Sequence, residues 1–369
     1  MTGNPLRDLA DIGQSVWYDH FDRDMLEGRL QRLVEEDGLS GVTTNPAIFQ
    51  KALEAEAYDG AIAEAVGRVG PEPERVYEAL VVSDIRAMAD TLRPVHEASA
   101  GADGLVSLEL PPELAEDGEG TIREAERLYA EVDRPNAMIK VPGTDAGIAA
   151  LEELTARGVP VNVTLLFDAR RCRSVGEAYI RGLERRRRSG SPVSWPPSVA
   201  SLFISRIDAW VDGWLLEHVP ERAERWLGRA AIANAQLAYS AFRDLFHGEA
   251  FAELRAAGAR PQRLLWASTA VKGERYPATY YVDALAGPET VTTLPPATLE
   301  AYRRDGAPAA RLGAGLDEAP AILESLRALG VDLDRALADL EAEGIEAFAR
   351  AHQELLSALT QRIHRVAAA

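Results

Sequence analysis

A single lysine inside an apolar segment is the residue of this sequence with the clearest chemical potential. Lys140 lies in residues 137–144, AMIKVPGT, and only Lys51 and Lys272 are lysines besides it among 40 lysines and arginines. An arginine stays protonated, whereas a desolvated lysine amine can lose its proton and act as a nucleophile. Lys140 is therefore a candidate for amine catalysis. The alternatives are a buried lysine paired with a carboxylate and a strand-end lysine whose amine reaches solvent.

Two carboxylates could serve such an amine. Glu109 is flanked by leucines in SLEL, and a buried carboxylate there is costly unless it has a partner or a task. Asp19 ends the apolar segment SVWYD, and Asp22 and Asp24 follow it closely as rivals. Only Asp19 has the alternation of a strand residue, so it is the preferred candidate.

The elements that must position these residues alternate between strand-like and helix-like segments. Helical patterns cover residues 25–36, 46–95, 121–132, 147–157, 169–187 and 206–251. Strand patterns cover residues 15–19, 41–45, 105–110, 137–144, 159–167, 199–204, 263–269 and 290–294. Eight strands separated by helices predict an α/β fold, a (β/α)8 TIM barrel. We expect one domain over residues 1–369, with the barrel at about 15–300 and a helical C-terminal extension at about 317–369 that packs across it.

Polar residues recur near the carboxyl ends of these strands, where barrel enzymes build their sites. Side chains two apart face the same way in a strand. The pairs predicted to face the interior are Trp17 with Asp19, Thr43 with Asn45, Ser107 with Glu109, Met138 with Lys140, Asn162 with Thr164, Ser201 with Phe203, and Trp266 with Ser268. Individually, Asp19 and Asn45 could instead be helix N-caps, and Thr164 and Ser201 could be core hydroxyls.

Composition limits the classes of function. The net charge of −18 argues against nonspecific binding of nucleic acid or anionic membranes, and no run of about 18 apolar residues occurs in the 369 residues. Cys172 is the only cysteine, and the six histidines lack metal-ligand spacing, so we predict no metal. The sequence favours a soluble protein of the cytoplasm.

Five ordered motifs together resemble the strand motifs of transaldolases in their long, actinobacterial-type form. They are TTNPAIF (43–49), SLEL (107–110), MIKVPGT (138–144), NVTLLF (162–167) and SLFISRID (201–208). The resemblance implies a barrel of the class I aldolase type. It also implies transfer of a dihydroxyacetone unit from a ketose phosphate to an aldose phosphate without a cofactor, through a lysine Schiff base. The sugars implied are sedoheptulose 7-phosphate or fructose 6-phosphate as donor and glyceraldehyde 3-phosphate or erythrose 4-phosphate as acceptor, in the pentose phosphate pathway.

The resemblance also implies a role for each residue. Lys140 matches the Schiff-base lysine, Asp19 the general acid/base, and Glu109 and Thr164 the pair that holds a catalytic water. The residues matched to substrate binding are Thr43, Asn45, Asn162, Ser201, Phe203, Arg206, Ser268 and Lys272. Arg206 matches a phosphate-binding arginine. A second such arginine is missing from ASTAVKG, where Lys272 is the candidate replacement.

Three alternatives remain open. A related fructose 6-phosphate aldolase would release free dihydroxyacetone, but that group is shorter and carries tyrosine where this chain has Phe203. A glycoside hydrolase could use Glu109 and Asp19 as a carboxylate pair without needing Lys140. A barrel that only binds sugar phosphates or scaffolds partners is the third. The predicted partners are small sugar phosphates, and we expect a monomer or a homodimer.

Overall fold

The computed structural model describes residues 3–367, in which eight parallel strands close into a barrel. The strands are β1 (Gln14–Tyr18), β2 (Gly41–Thr43), β3 (Leu105–Glu109), β4 (Ala137–Pro142), β5 (Val161–Leu166), β6 (Ser198–Phe203), β7 (Arg263–Ala267) and β8 (Thr290–Leu294). Each strand pairs with the next in the chain, and β8 pairs with β1. The predicted (β/α)8 TIM barrel is confirmed.

Helices surround the barrel and continue beyond its last strand. They are α1 (Pro5–Ile12), α2 (Arg29–Asp37), α3 (Pro46–Leu53), α4 (Asp59–Val69), α5 (Pro73–Ala98), α6 (Gly118–Val132), α7 (Asp145–Arg157), α8 (Ala169–Arg188), α9 (Ser205–His218), α10 (Pro220–Ala223), α11 (Ala230–His247), α12 (Ala252–Ala256), α13 (Tyr280–Ala284), α14 (Pro296–Asp305), α15 (Ala319–Ala328) and α16 (Leu333–Ala367). The core lies between strands and helices, where the outward residues of β4, Ile139 and Val141, are fully buried. Within residues 3–367, no helix is both long enough and apolar enough to cross a bilayer.

The two longest helical predictions were wrong in being continuous. Residues 46–95 form α3, α4 and most of α5. The break between α4 and α5 arises because Gly70 takes a positive φ of 89° after α4 and Pro73 begins α5. Residues 206–251 are likewise interrupted, with Pro220 starting α10 and Gly228 at a φ of 73° before α11. Helix α1, which was not predicted, begins at the N-cap Asn4.

The strand register determines which side chains enter the barrel. Ser201 pairs with Leu265, and Leu202 pairs with Trp266. Because the Ser201 hydroxyl bonds to another interior side chain, Asn162, Leu265 faces inward and Trp266 faces outward. The indole of Trp266 donates to the Leu285 carbonyl at 3.0 Å outside the barrel. The predicted inward orientation of Trp266 was therefore wrong.

Helix α16 packs across the same end of the barrel as the carboxyl ends of the strands. Its neighbours include α3, α4, α5, α9 and β5. Arg362 pairs with Asp59 near one end of the helix, and Glu341 pairs with Arg171 at 3.5 Å nearer the other. The structure thus agrees with the expectation that the C-terminal extension lies across the barrel.

Candidate active site

Lys140 lies inside the barrel with its amine held by two oxygens from neighbouring strands and turns. Its Nζ donates to the Thr44 carbonyl at 3.0 Å and to Glu109 Oε2 at 3.3 Å. Only 5% of the residue is exposed, and the Phe348 ring centroid is 5.9 Å from Nζ. The predicted pairing of Lys140 with Glu109 is present. Because the lysine is almost fully buried, its amine is turned away from bulk water.

Glu109 ends β3 directly beside Lys140 of β4 in the strand register. Its side chain is 10% exposed. Burial raises the pKa of Glu109 to about 7, the Lys140 charge opposes that rise, and the Asp19 charge adds to it. A carboxyl whose pKa lies near neutrality can both donate and accept a proton under ordinary conditions.

Asp19 follows β1 and still belongs to the barrel ladder, because its backbone N–H donates to the Leu294 carbonyl at 2.9 Å. Desolvation raises the pKa of Asp19, although the charges of Lys140, His20 and Lys272 act to lower it. The rival Asp22 instead caps a short 3-10 helix by accepting from Met25 N at 2.9 Å. Asp19 is thus the first-strand carboxylate whose charge acts on Lys140.

Amide and hydroxyl groups form a chain through the interior. Asn162 Nδ2 donates to Ser107 Oγ at 3.0 Å, and Ser201 Oγ donates to Asn162 Oδ1 at 2.6 Å. Thr164 lies two residues beyond Asn162, and its buried Oγ1 has no hydrogen-bond partner in residues 3–367. A buried hydroxyl without a protein partner is a position where a bound water or substrate atom is expected.

Asn45 and Thr43 stand at the end of β2. Asn45 is the N-cap of α3, and its Oδ1 accepts from Ile48 N at 3.0 Å. Asn45 is therefore a helix N-cap, as the alternative interpretation held, and its Nδ2 forms no hydrogen bond with any residue that the structure describes. Thr43 is buried and pairs in register with Ser107.

A second group of predicted residues lies where β6 and β7 end. Arg206 is in the first turn of α9, and its guanidinium carbon lies 5.6 Å from the Phe203 ring centroid. Arg206 takes part in none of the ion pairs found among the described residues. Burial lowers the pKa of Arg206, and the Glu343 charge opposes this. Desolvation lowers the pKa of Lys272, the charge of Arg206 lowers it further, and the charge of Asp19 opposes both. Ser268 Oγ lies 3.1 Å from Ser205 Oγ. The backbone of Ser268 has a left-handed φ of 55°.

Comparison with known proteins identifies the family. The sequence matches the family described as Transaldolase/Fructose-6-phosphate aldolase over residues 16–359. The chain belongs to this family. It is 47% identical to a protein named Transaldolase from Thiobacillus denitrificans, over 96% of this chain and 99% of that one. Identity is 43% to Transaldolase of Thermobifida fusca, over 98% and 99%, and 42% to Transaldolase 2 of a Nostoc species, over 98% of both chains. The predictions of a transaldolase and of a transferase enzyme are confirmed.

Several residues at this family site escaped the sequence analysis. The Thr44 carbonyl is a main-chain acceptor, which side-chain patterns do not reveal. Phe348 and Glu343 belong to α16, which begins more than 120 residues after β6 ends. Nothing in their local sequence indicates that they contact the carboxyl end of the barrel. Among residues 3–367, no group of three or more histidine, cysteine or acidic side chains is arranged to hold a metal ion.

Proposed function

We propose that this chain transfers a dihydroxyacetone unit between sugar phosphates through a Schiff base on Lys140. The observation that carries the proposal is the placement of Lys140, buried and within 3.3 Å of a carboxyl whose pKa lies at about 7. Family membership supports the same reaction. The neutral amine attacks the ketone carbonyl of the donor, and loss of water from the adduct gives an iminium that draws electrons from the neighbouring carbon–carbon bond.

Two carboxyl groups divide the proton transfers. Glu109 and the unpartnered hydroxyl of Thr164 hold the water that is exchanged as the adduct forms and breaks down. Glu109 moves its proton in either direction because its pKa is near neutrality. Asp19 takes the proton of the substrate hydroxyl as the carbon–carbon bond breaks and returns it to the acceptor aldehyde. Its raised pKa suits this exchange, and the Lys140 charge, which lowers that pKa, acts on it from β4.

The remaining predicted residues hold the sugar phosphate. Asn45 Nδ2, Asn162, Ser201 and Thr43 line the interior and meet substrate hydroxyls. Arg206, with no ion-pair partner in the described chain, binds the phosphate together with Lys272 and the N–H groups that begin α9. Ser268 lies beside that helix start. The proposed donors are sedoheptulose 7-phosphate and fructose 6-phosphate, and the acceptors are glyceraldehyde 3-phosphate and erythrose 4-phosphate.

The family description also covers fructose 6-phosphate aldolases, so simple cleavage is the second candidate reaction. The apolar side chain of Phe203, 8% exposed, supports transfer, since the resemblance implies a tyrosine in the cleaving group. We propose the cytoplasm as the location of the enzyme, and a monomer or homodimer as its state.

Borohydride reduction with fructose 6-phosphate tests the proposal. The wild-type chain gains a dihydroxyacetone-sized mass at Lys140 and loses activity, and a Lys140→Arg variant gains none. Lys51→Arg is the matched control and is labelled like the wild type. Label at Lys51 or Lys272 alone would contradict the assignment. An assay with and without erythrose 4-phosphate then separates transfer, which needs the acceptor, from cleavage, which does not.

A further inference from the structure

Helix α16 places an aromatic ring directly over the reactive amine. The centroid of the Phe348 ring lies 5.9 Å from Lys140 Nζ. Phe348 also lines a cavity together with Glu109, Leu165 and Ile345. We propose that Phe348 keeps bulk water from the intermediate bound to Lys140, and that it thereby sets the ratio of transfer to wasteful hydrolysis. This inference rests on the proposed function and adds a positioning residue to it from outside the barrel.

The helix can come this close because of a glycine. Gly344 is buried one turn before Phe348, and a Cβ built on it would lie 3.1 Å from Leu165 Cδ2 and 3.5 Å from the Phe167 ring. Leu165 has a left-handed φ of 59°, whereas residues of a regular strand have negative φ. It lies where the pairing of β5 with β6 shifts in register. The backbone of α16 therefore rests so close to the end of β5 that a methyl group at position 344 would require Leu165 to shift by a few tenths of an ångström.

Contacts on both sides of Phe348 fix the position of the helix. Before it, Glu341 pairs with Arg171 at 3.5 Å. After it, His352 lies 3.3 Å from Glu113, and Arg362 pairs with Asp59. These contacts hold α16 on both sides of Phe348, and they therefore keep the Phe348 ring close to Lys140.

The chemistry gives water exclusion a measurable effect. After carbon–carbon cleavage, the three-carbon unit stays on Lys140 as an enamine that awaits an aldehyde. It is lost when its nucleophilic carbon gains a proton, giving an iminium, and one water then adds to the iminium carbon. Collapse of that adduct breaks the bond to Nζ and leaves dihydroxyacetone, the free amine and the proton. Bulk water can supply the proton of the first step and is consumed in the second, whereas bond formation between the enamine and the aldehyde consumes no water.

The test compares Phe348→Ala and Phe348→Leu with the wild type and with Leu356→Ala, a half-buried position two turns further along α16. Each protein receives fructose 6-phosphate alone, and free dihydroxyacetone is measured. Each then receives erythrose 4-phosphate as well, and the transferred product is measured. We expect the ratio of hydrolysis to transfer to rise about tenfold in Phe348→Ala and about threefold in Phe348→Leu, and to keep the wild-type value in Leu356→Ala.

The ratio of hydrolysis to transfer distinguishes loss of water exclusion from a general loss of stability. A variant that is only less stable lowers the rates of dihydroxyacetone release and of transfer together. A folded Phe348→Ala with the wild-type ratio overturns the inference, as does an equal rise in Leu356→Ala. If Phe348→Ala does not fold, an unchanged ratio in Phe348→Leu overturns it. Absence of transfer and of a borohydride adduct in the wild type would instead refute the proposed function.

Discussion

Replacing Glu109 with glutamine tests whether burial raises the pKa of this carboxyl. The pKa rises from 4.5 to about 7, so ionising Glu109 costs the folded chain about 3 kcal/mol more than the unfolded chain. The folded state therefore binds this proton more tightly. The stabilisation is fully present below pH 4.5 and is lost as the pH rises through 7. The loss between pH 5 and pH 8 amounts to about 2.5 kcal/mol.

The Glu109→Gln variant is neutral at every pH and lacks this dependence. Its amide oxygen can still accept from Lys140, which also keeps the Thr44 carbonyl. Urea unfolding of both proteins at pH 5 and pH 8 measures the free energy of unfolding. We expect the wild-type value minus the variant value to fall by about 2.5 kcal/mol between the two conditions.

The exposed Glu346→Gln on α16 is the matched control, and its difference from the wild type should stay nearly constant between pH 5 and pH 8. A difference for Glu109→Gln that is equally constant, or that changes in the opposite direction, would refute the reasoning. A constant difference would mean that Lys140 compensates fully for the burial of Glu109, and an opposite change would mean that it more than compensates.

Three further variants test other parts of the site. Lys272→Ala should raise the KM for fructose 6-phosphate about tenfold through loss of a phosphate contact, with the exposed Lys51→Ala unchanged in the same steady-state assay. An unchanged KM would make Lys272 a surface residue only. Asn162→Ala should lower the free energy of unfolding by about 2 kcal/mol, because two buried serines lose their partner; denaturant titration measures this, and a neutral effect would contradict it. Gly344→Ala should force α16 away from Leu165, lowering stability by about 1 kcal/mol and raising acceptor-independent release of dihydroxyacetone. Unchanged release would show that the helix tolerates the methyl group.

Most of the barrel was predictable because it depends on local patterns. Buried parallel strands require short apolar segments, and β3, β4 and β8 were predicted to within a few residues at each end. Alternation within a strand then placed Glu109 and Lys140 on one face, and the register confirms that they are neighbours. The breaks in the long helical segments depended on backbone angles at Gly70 and Gly228, and a helical periodicity continues through such positions unnoticed.

The remaining features depend on geometry that a local pattern does not contain. The inward orientation predicted for Trp266 assumed regular strand geometry up to Ser268, but Ser268 has a left-handed φ, which is uncommon for serine. The contact between Phe348 and Lys140 joins residues more than 200 positions apart. Helical spacing shows that α16 has an apolar face, but it does not show which surface that face covers.

The hydrogen bonds through Asn162 determine which groups this part of the barrel interior can offer to a ligand. Ser201 gives its only proton to Asn162, so toward a ligand it can offer only lone pairs. Asn45 accepts the Ile48 N–H of α3 with one lone pair of its side-chain oxygen, and its N–H groups can donate to a ligand. A ligand hydroxyl that meets Ser201 must therefore point its hydrogen toward β6, and a ligand that offers only an acceptor at that position would be disfavoured.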